Sequence, residues 1–208
     1  MPDHFGQLEQ ELSALRVLGV HSGPAGFFAQ EALRFYSIAG TLKSSFKLGE
    51  TAETHERNIT HILFRSILEN YFRILYIFDN PTDIQTKYDS VIVNSFKREY
   101  GKLLNEPEIR KMNGIEPAGD DWAQLPRVLD MNSIIAQVQN EHGNRLSYLY
   151  FVYRIASFDT HGNNMKNITD DAFGKSVNFP VLKLEYGIDL VANQYLVVLE
   201  GMRGRGEI

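Results

Sequence analysis

Apolar residues recur along this chain at intervals of three and four, the spacing that places side chains on one face of an α-helix. Leu8, Leu12, Leu15 and Leu18 mark a first short helix over 5–19, with Gly19 as its stop. After His21-Ser-Gly-Pro24, apolar residues at 28, 32, 35, 36, 39 and 42 predict a longer helix over 25–48, ended by Gly49. The stretch 51–79 holds no Gly or Pro, has Thr51 or Thr54 as a cap, and stops at Asn80-Pro81. A fourth helix is predicted over 82–104.

Residues 105–130 break the pattern. Pro107, Pro117 and Pro126, Gly114 and Gly119, and the pair Asp120-Asp121 predict a long irregular excursion with one short helical turn. Asp130 can cap a short helix to about 139, and Asn144 can cap the next, over 145–161, closed by Gly162-Asn163. Residues 162–180 read as loop. A last helix is predicted over 181–202, with Gly187 inside it, and the tail from about 203 to 208 is expected to fray. Period-2 alternation is confined to 176–184 and is interrupted by Pro180. The predicted fold is all-α, one domain over 1–208, an up-and-down helical bundle with a long irregular loop near 105–130.

Composition narrows the chemistry. With 43% hydrophobic residues, 13 Phe and 10 Tyr among 208 residues, the chain can bury a core without covalent staples. Twenty-six acidic residues against 21 Lys and Arg give a net charge of -5, so no basic field gathers nucleic acid and any such role needs a local cleft. The absence of cysteine excludes disulfides, thiolate metal sites and cysteine nucleophiles. Residues 1–10 lack the basic start and apolar run of a secretory signal, and no apolar run approaches the roughly 20 residues that cross a bilayer. The expectation is a cytoplasmic protein without a membrane partner.

The helix 145–161 carries the most unusual pattern. Leu146, Tyr148, Leu149, Tyr150, Phe151, Val152, Tyr153, Ile155 and Phe158 cover nearly every direction around it, so its polar residues need explaining. At about 100° per residue, Arg154, Ser157 and His161 fall within an arc of roughly 60°, along about 10 Å of axis. Two readings fit. Arg154 pairs with a carboxylate or lies along the surface while His161 closes the helix near its C-terminal dipole. Alternatively, Arg154 holds a phosphate through its fork of donors and His161 moves a proton.

The segment Arg154-Ile-Ala-Ser-Phe-Asp-Thr-His161 resembles the R-x(4 to 6)-H motif of the HEPN superfamily, all-helical domains that often dimerise and that include many metal-independent ribonucleases of toxin-antitoxin and antiphage systems. Tyr153-Arg-Ile-Ala-Ser157-x-x-x-His161, together with Arg65-Ser-Ile-Leu-Glu69, resembles one bacterial HEPN-like family that carries an R-S-x-x-E helix followed by a Y-R-x-x-S-x-x-x-H helix. The likeness covers about 25–200 in architecture, with those two segments as its specific part. A second match, Arg16-Val-Leu-Gly-Val-His21, straddles Gly19 and a predicted helix end, so its side chains have no fixed relation.

The resemblance implies an endoribonuclease in which Arg154 and His161 are catalytic, Ser157 positions the phosphate or His161, and Tyr153, Arg65 and Glu69 support them. It also implies a homodimer, an RNA substrate, an antitoxin or other regulatory partner, and no cofactor or metal. The alternative is a non-catalytic HEPN-like module that dimerises or binds a nucleotide or a partner protein. From position alone, Arg65 and Glu69 also fit an ordinary surface pair one helical turn apart, and burial separates that reading from the pocket role. Elsewhere, His55-Glu56 and His61 are spaced H-E-x(4)-H, which does not bring two imidazoles to one helical face as H-E-x-x-H does. The chain contains neither a Gly-rich phosphate loop nor a G-x-S-x-G elbow.

Overall fold

The structure, a computed structural model, describes residues 2–49, 51–139, 144–161, 171–174 and 182–208, without the side chains of Thr54, Asn144, Asp159, Thr160 and His161. Among these residues the chain is all-α, with no strand. Most of the stretch 176–184 lies outside the described residues, as does 162–170, which reads as loop. Chain contacts group into two compact units, Met1–Tyr71 with Asn140–Ile208, and Phe72–Gln139. No described helix is long and apolar enough to cross a membrane.

In the first unit, α1 (His4–Gln10) begins where the Asp3 carboxylate accepts the Gly6 N–H at 2.9 Å. The single helix predicted over 5–19 is two helices, because the Glu11 N–H reaches back to the Leu8 carbonyl and a bend precedes α2 (Leu12–Leu18). The bend lets the two halves bury separate faces: α1 packs on the last helix, α2 on α3 (Gly23–Ser45). The turn into α3 depends on two glycines. Gly23 adopts φ +85°, and a Cβ on Gly26 would lie 1.7 Å from the His21 carbonyl oxygen.

Of α4 (Thr54–Phe78), Phe64, Ile67, Leu68 and Tyr71 turn into the core of this unit. Helix α9 (Asn144–His161) buries Leu149, Val152 and Ala156. Helix α10 (Leu184–Gly204) buries residues along most of its length, including Leu184, Ile188, Val191, Tyr195, Val198 and Met202, which recur at the three-and-four spacing of a core seam. The Tyr195 ring meets Phe28 edge-on at 5.8 Å and Phe35 at 5.2 Å, and burial pushes its phenol well above the ordinary tyrosine value. Gly187 explains itself here. A Cβ at this position would lie 2.7 Å from Phe64 Cζ and 3.6 Å from Leu149 Cδ2, so the bare backbone is the seat on which α4 and α9 rest.

Two polar ties join α1 to α10. The His4 N–H donates to Asp189 Oδ1 at 2.8 Å while its ring Nδ1 lies 2.8 Å from Oδ2, and Arg203 reaches Glu11 at 2.5 Å and Glu200 at 2.6 Å. The tail expected to fray from about 203 is therefore helical to Gly204 and anchored at Arg203, because this guanidinium lies between two carboxylates.

In the second unit the helix predicted over 82–104 stays helical but changes its winding. A 3-10 turn (Pro81–Asp83), capped by Asn80, leads into α5 (Ile84–Tyr88), a π turn (Asp89–Val93) and α6 (Asn94–Leu103). The irregular excursion holds two short turns, α7 (Pro107–Arg110) and a 3-10 turn (Trp122–Gln124). It is strapped to α6: Arg98 donates to the Leu125 and Pro126 carbonyls at 2.8 and 3.2 Å, and the Tyr100 hydroxyl to the Glu116 carbonyl at 2.7 Å. Asp130 caps α8 (Met131–Gln137) by accepting the Ser133 N–H at 2.8 Å, and these bonds hold its carboxyl below the ordinary aspartate value.

Gly187→Ala should lower the unfolding free energy by about 1–3 kcal/mol through overpacking against Phe64, although Ala in a helix interior is otherwise favoured over Gly by about 1 kcal/mol. Denaturant midpoints measure the sign directly. A midpoint at or above that of the wild type would mean that the Phe64 ring retreats without cost.

Candidate functional site

Helices α4 and α9 run antiparallel, because Arg65 meets Ser157 while Glu69, one turn later, meets Tyr153, one turn earlier. Each pair of polar residues sits four apart on its own helix, so two such pairs facing each other make a closed ring of contacts. Arg65 Nη2 lies 2.7 Å from Glu69 Oε1, and its Nε donates to Ser157 Oγ at 3.1 Å. The Tyr153 hydroxyl donates to the same Glu69 oxygen at 3.4 Å, and the Arg65 guanidinium lies over the Tyr153 ring, 5.6 Å from its centre. Ser157 completes the set by donating to its own helix at the Tyr153 carbonyl, 2.7 Å away.

Burial decides between the two roles of Arg65 and Glu69. Their side chains are only 22% and 31% exposed, and both contact α9, so they are not an ordinary surface pair. Below them lies the apolar layer of Phe64, Leu68, Leu149, Val152 and Ala156, each fully buried. The structure thus brings together four of the six residues singled out from sequence: Arg65, Glu69, Tyr153 and Ser157. Ser157 bonds within this seam, its proton directed to the Tyr153 carbonyl and its oxygen accepting from Arg65.

Arg154 takes the other direction. Its side chain is exposed and rests over the Tyr150 ring at 5.9 Å, and among the described residues no carboxylate pairs with it. Tyr150 in turn stacks on Tyr153, with ring centres 6.3 Å apart and planes 20° apart. The backbone of His161 is the last residue of α9, two turns beyond Arg154 on one unbroken helix, and its side chain lies outside the described residues. Tyr150 and Tyr153 are both half-buried, and Tyr153 turns to α4. The exposed aromatics of α9 are Phe151 and Phe158.

A second polar cluster was not foreseen. On the α3 side of α4, Glu31 accepts from Arg34 Nη1 at 3.2 Å and from Asn70 Nδ2 at 2.5 Å, while Arg34 Nη2 donates to Ser66 at 2.7 Å. The signal was the doubling of polar positions, 65 with 66 and 69 with 70, which points one residue of each doublet at either neighbouring helix.

The remaining constellations do not assemble. Arg16 is in α2 and His21 in the turn beyond Gly19, both exposed. Glu56 accepts the Glu53 N–H at 2.9 Å at the start of α4, which lowers its carboxyl below the ordinary glutamate value, so it serves the helix end. No group of three or more His, Asp or Glu among the described residues could hold a metal ion. Compared with known protein families, with curated proteins and with solved structures, the chain finds no match.

Glu69→Ala should destabilise the fold by about 1 kcal/mol, a charged hydrogen-bonded pair discounted for its partial exposure. Ser157→Ala should cost a similar amount. Because both act on Arg65, the double variant should lose less than the sum, and a denaturation cycle over the four proteins checks this. Strict additivity would mean that Arg65 bridges nothing.

Proposed function

We propose that the chain is a metal-independent endoribonuclease of the HEPN type, with Arg154 and His161 as its catalytic residues. The observation that supports it best is the division of labour along α9: the two segments that carry the resemblance are braced to each other through Arg65, Glu69, Tyr153 and Ser157, while Arg154 stands exposed beside them on the same unbroken helix as His161. A braced helix holds its outward residues in fixed relation, as a site for an extended phosphodiester requires.

The chemistry follows from the residue types. His161 removes the proton of a ribose 2′-hydroxyl, and the 2′-oxygen attacks the adjacent phosphorus. Arg154 stabilises the charge that builds on the non-bridging oxygens. The bond to the 5′-oxygen breaks, leaving a 2′,3′-cyclic phosphate on one product, and the departing oxygen takes a proton. One histidine per chain cannot readily serve as both base and acid, so the acid is His161 of a second copy in a homodimer. A toxin or antiphage effector, restrained by a cognate antitoxin or another regulatory protein in the cytoplasm, is the setting that the family resemblance implies.

A second reading, a non-catalytic module of the same architecture that binds a nucleotide or partner protein, is favoured by the net charge of -5 and by Arg65 being occupied within the fold.

His161→Ala should reduce cleavage of mixed RNA by about 100-fold or more, the usual contribution of a general base, with the circular dichroism spectrum unchanged. Wild-type activity should survive EDTA and leave 2′,3′-cyclic phosphate ends. Undiminished cleavage by the variant at matched purity, or strict dependence on a divalent ion, would remove the proposal. Mixed dimers of wild-type and His161→Ala chains should lose well over half of the activity, as measured against the light-scattering mass of the purified species.

A further inference from the structure

Four side chains at the α4–α9 seam form a continuous row. The Arg65 guanidinium lies over the Tyr153 ring at 5.6 Å, Tyr153 stacks with Tyr150 at 6.3 Å, and the Arg154 guanidinium lies over Tyr150 at 5.9 Å. The two cationic ends of this row differ in one respect. Arg65 gives Nε to Ser157 and Nη2 to Glu69, so its charge is paired and part of its fork is taken inside the fold. Arg154 is exposed, with no carboxylate paired to it among the described residues, and its contact is with a ring. A cation over an aromatic face is attracted to the ring quadrupole and surrenders none of its N–H donors. The planar fork that suits a phosphate is therefore still available.

From this geometry we infer that Tyr150 is a positioning residue for Arg154, holding its guanidinium in place to receive a phosphodiester oxygen of single-stranded RNA. The inference rests on the ribonuclease reading for its ligand and adds a residue that no motif contains. A free arginine side chain samples many rotamers, about 2 kcal/mol of entropy that is lost when it grips an anion. Part of that ordering is already done here, because Tyr150 is four residues before Arg154 on the helix and is itself fixed against Tyr153. Tyr153 is held in turn by Arg65 and Glu69. The interior network thus sets the position of an exposed cation two rings away. The ring is the active part of Tyr150 in this role, which separates its substitutions into two classes: Phe should replace it, and Leu or Met should not.

The test uses the full chain and a fluorescently labelled, single-stranded 2′-O-methyl RNA, which cannot be cleaved through a 2′-hydroxyl, with affinity read by anisotropy. Tyr150→Phe should bind as wild type. Tyr150→Leu should bind about two- to fivefold more weakly, the equivalent of an exposed cation–π contact, with Tyr150→Met as the second variant should Leu disturb folding. Arg154→Ala should bind more weakly still, and adding Tyr150→Leu to it should change nothing further. Salt dependence gives a readout that general loosening of the helix would not copy. Arg154→Ala should reduce the slope of log affinity against log salt by about 0.7, one phosphate contact on a single strand, whereas Tyr150→Leu keeps the charge and should keep the slope. Equal affinity of Tyr150→Leu and wild type, weakening by Tyr150→Phe as large as by Leu, or additive losses in the double variant would each overturn the inference. Absence of any RNA binding by the wild type would overturn both this and the ribonuclease reading. Binding with the expected coupling but no cleavage of ordinary RNA would remove the ribonuclease alone, and His161-dependent cleavage with no Tyr150 effect would remove only the positioning role.

Discussion

The seating of the Phe64 ring on the bare backbone of Gly187 governs the part of the molecule that carries the candidate site. With no Cβ at 187, α4 and α9 both come down onto α10, Phe64 from one side and Leu149 from the other. That depth fixes the register in which α4 meets α9, and the register decides that residue 65 faces 157 and residue 69 faces 153. Polar side chains could not choose this pairing by themselves. Exposed ion pairs contribute a kcal/mol or less, whereas burying a phenylalanine side chain contributes about 1.5–3 kcal/mol. Packing sets the geometry, and the hydrogen bonds of Arg65 refine it.

The helical nature of the chain was legible because apolar spacing and caps agree at most boundaries: Asp130 caps its helix, and α9 runs uninterrupted from Asn144 to His161. What local spacing could not show was tertiary. The break at Glu11 has no Gly or Pro to announce it and arises because α1 and α2 have different partners. The π turn at Asp89–Val93 is likewise invisible to a pattern of threes and fours, since one extra residue in a turn merely rotates the apolar face. Gly187 stood in the sequence only as a glycine inside the last helix, and the structure places Phe64 and Leu149 against it. At the site, Arg65, Glu69, Tyr153 and Ser157 were visible as two four-residue spacings, yet their mutual facing depended on the antiparallel approach. The partnership of Glu31, Arg34, Ser66 and Asn70 was hidden because it joins two helices with no motif on either.

The arginines of this region illustrate how one residue type takes opposite tasks. Arg34 and Arg65 each bridge a pair of helices, and each meets a carboxylate on its own helix, Glu31 and Glu69 respectively. Their positive charge is cancelled close at hand, in keeping with a chain that has no excess of basic residues. Among the described residues Arg154 has no such carboxylate beside it, and its contact is with the Tyr150 ring. A protein of net negative charge can in this way present a focused positive point without a broad basic surface.

The ties between His4 and Asp189 and between Glu11 and Arg203 join segments separated by 185 and 192 positions in the chain. The unit Phe72–Gln139 is continuous in sequence, whereas the other unit is made of two pieces that this stretch separates along the chain. Loop-closure entropy opposes their meeting until apolar contacts such as those of Tyr195 reward it. Contacts of such long sequence separation carry a larger closure cost than the local contacts within each helix, so the ties of His4 and Glu11 to the last helix depend on the apolar burial around Tyr195.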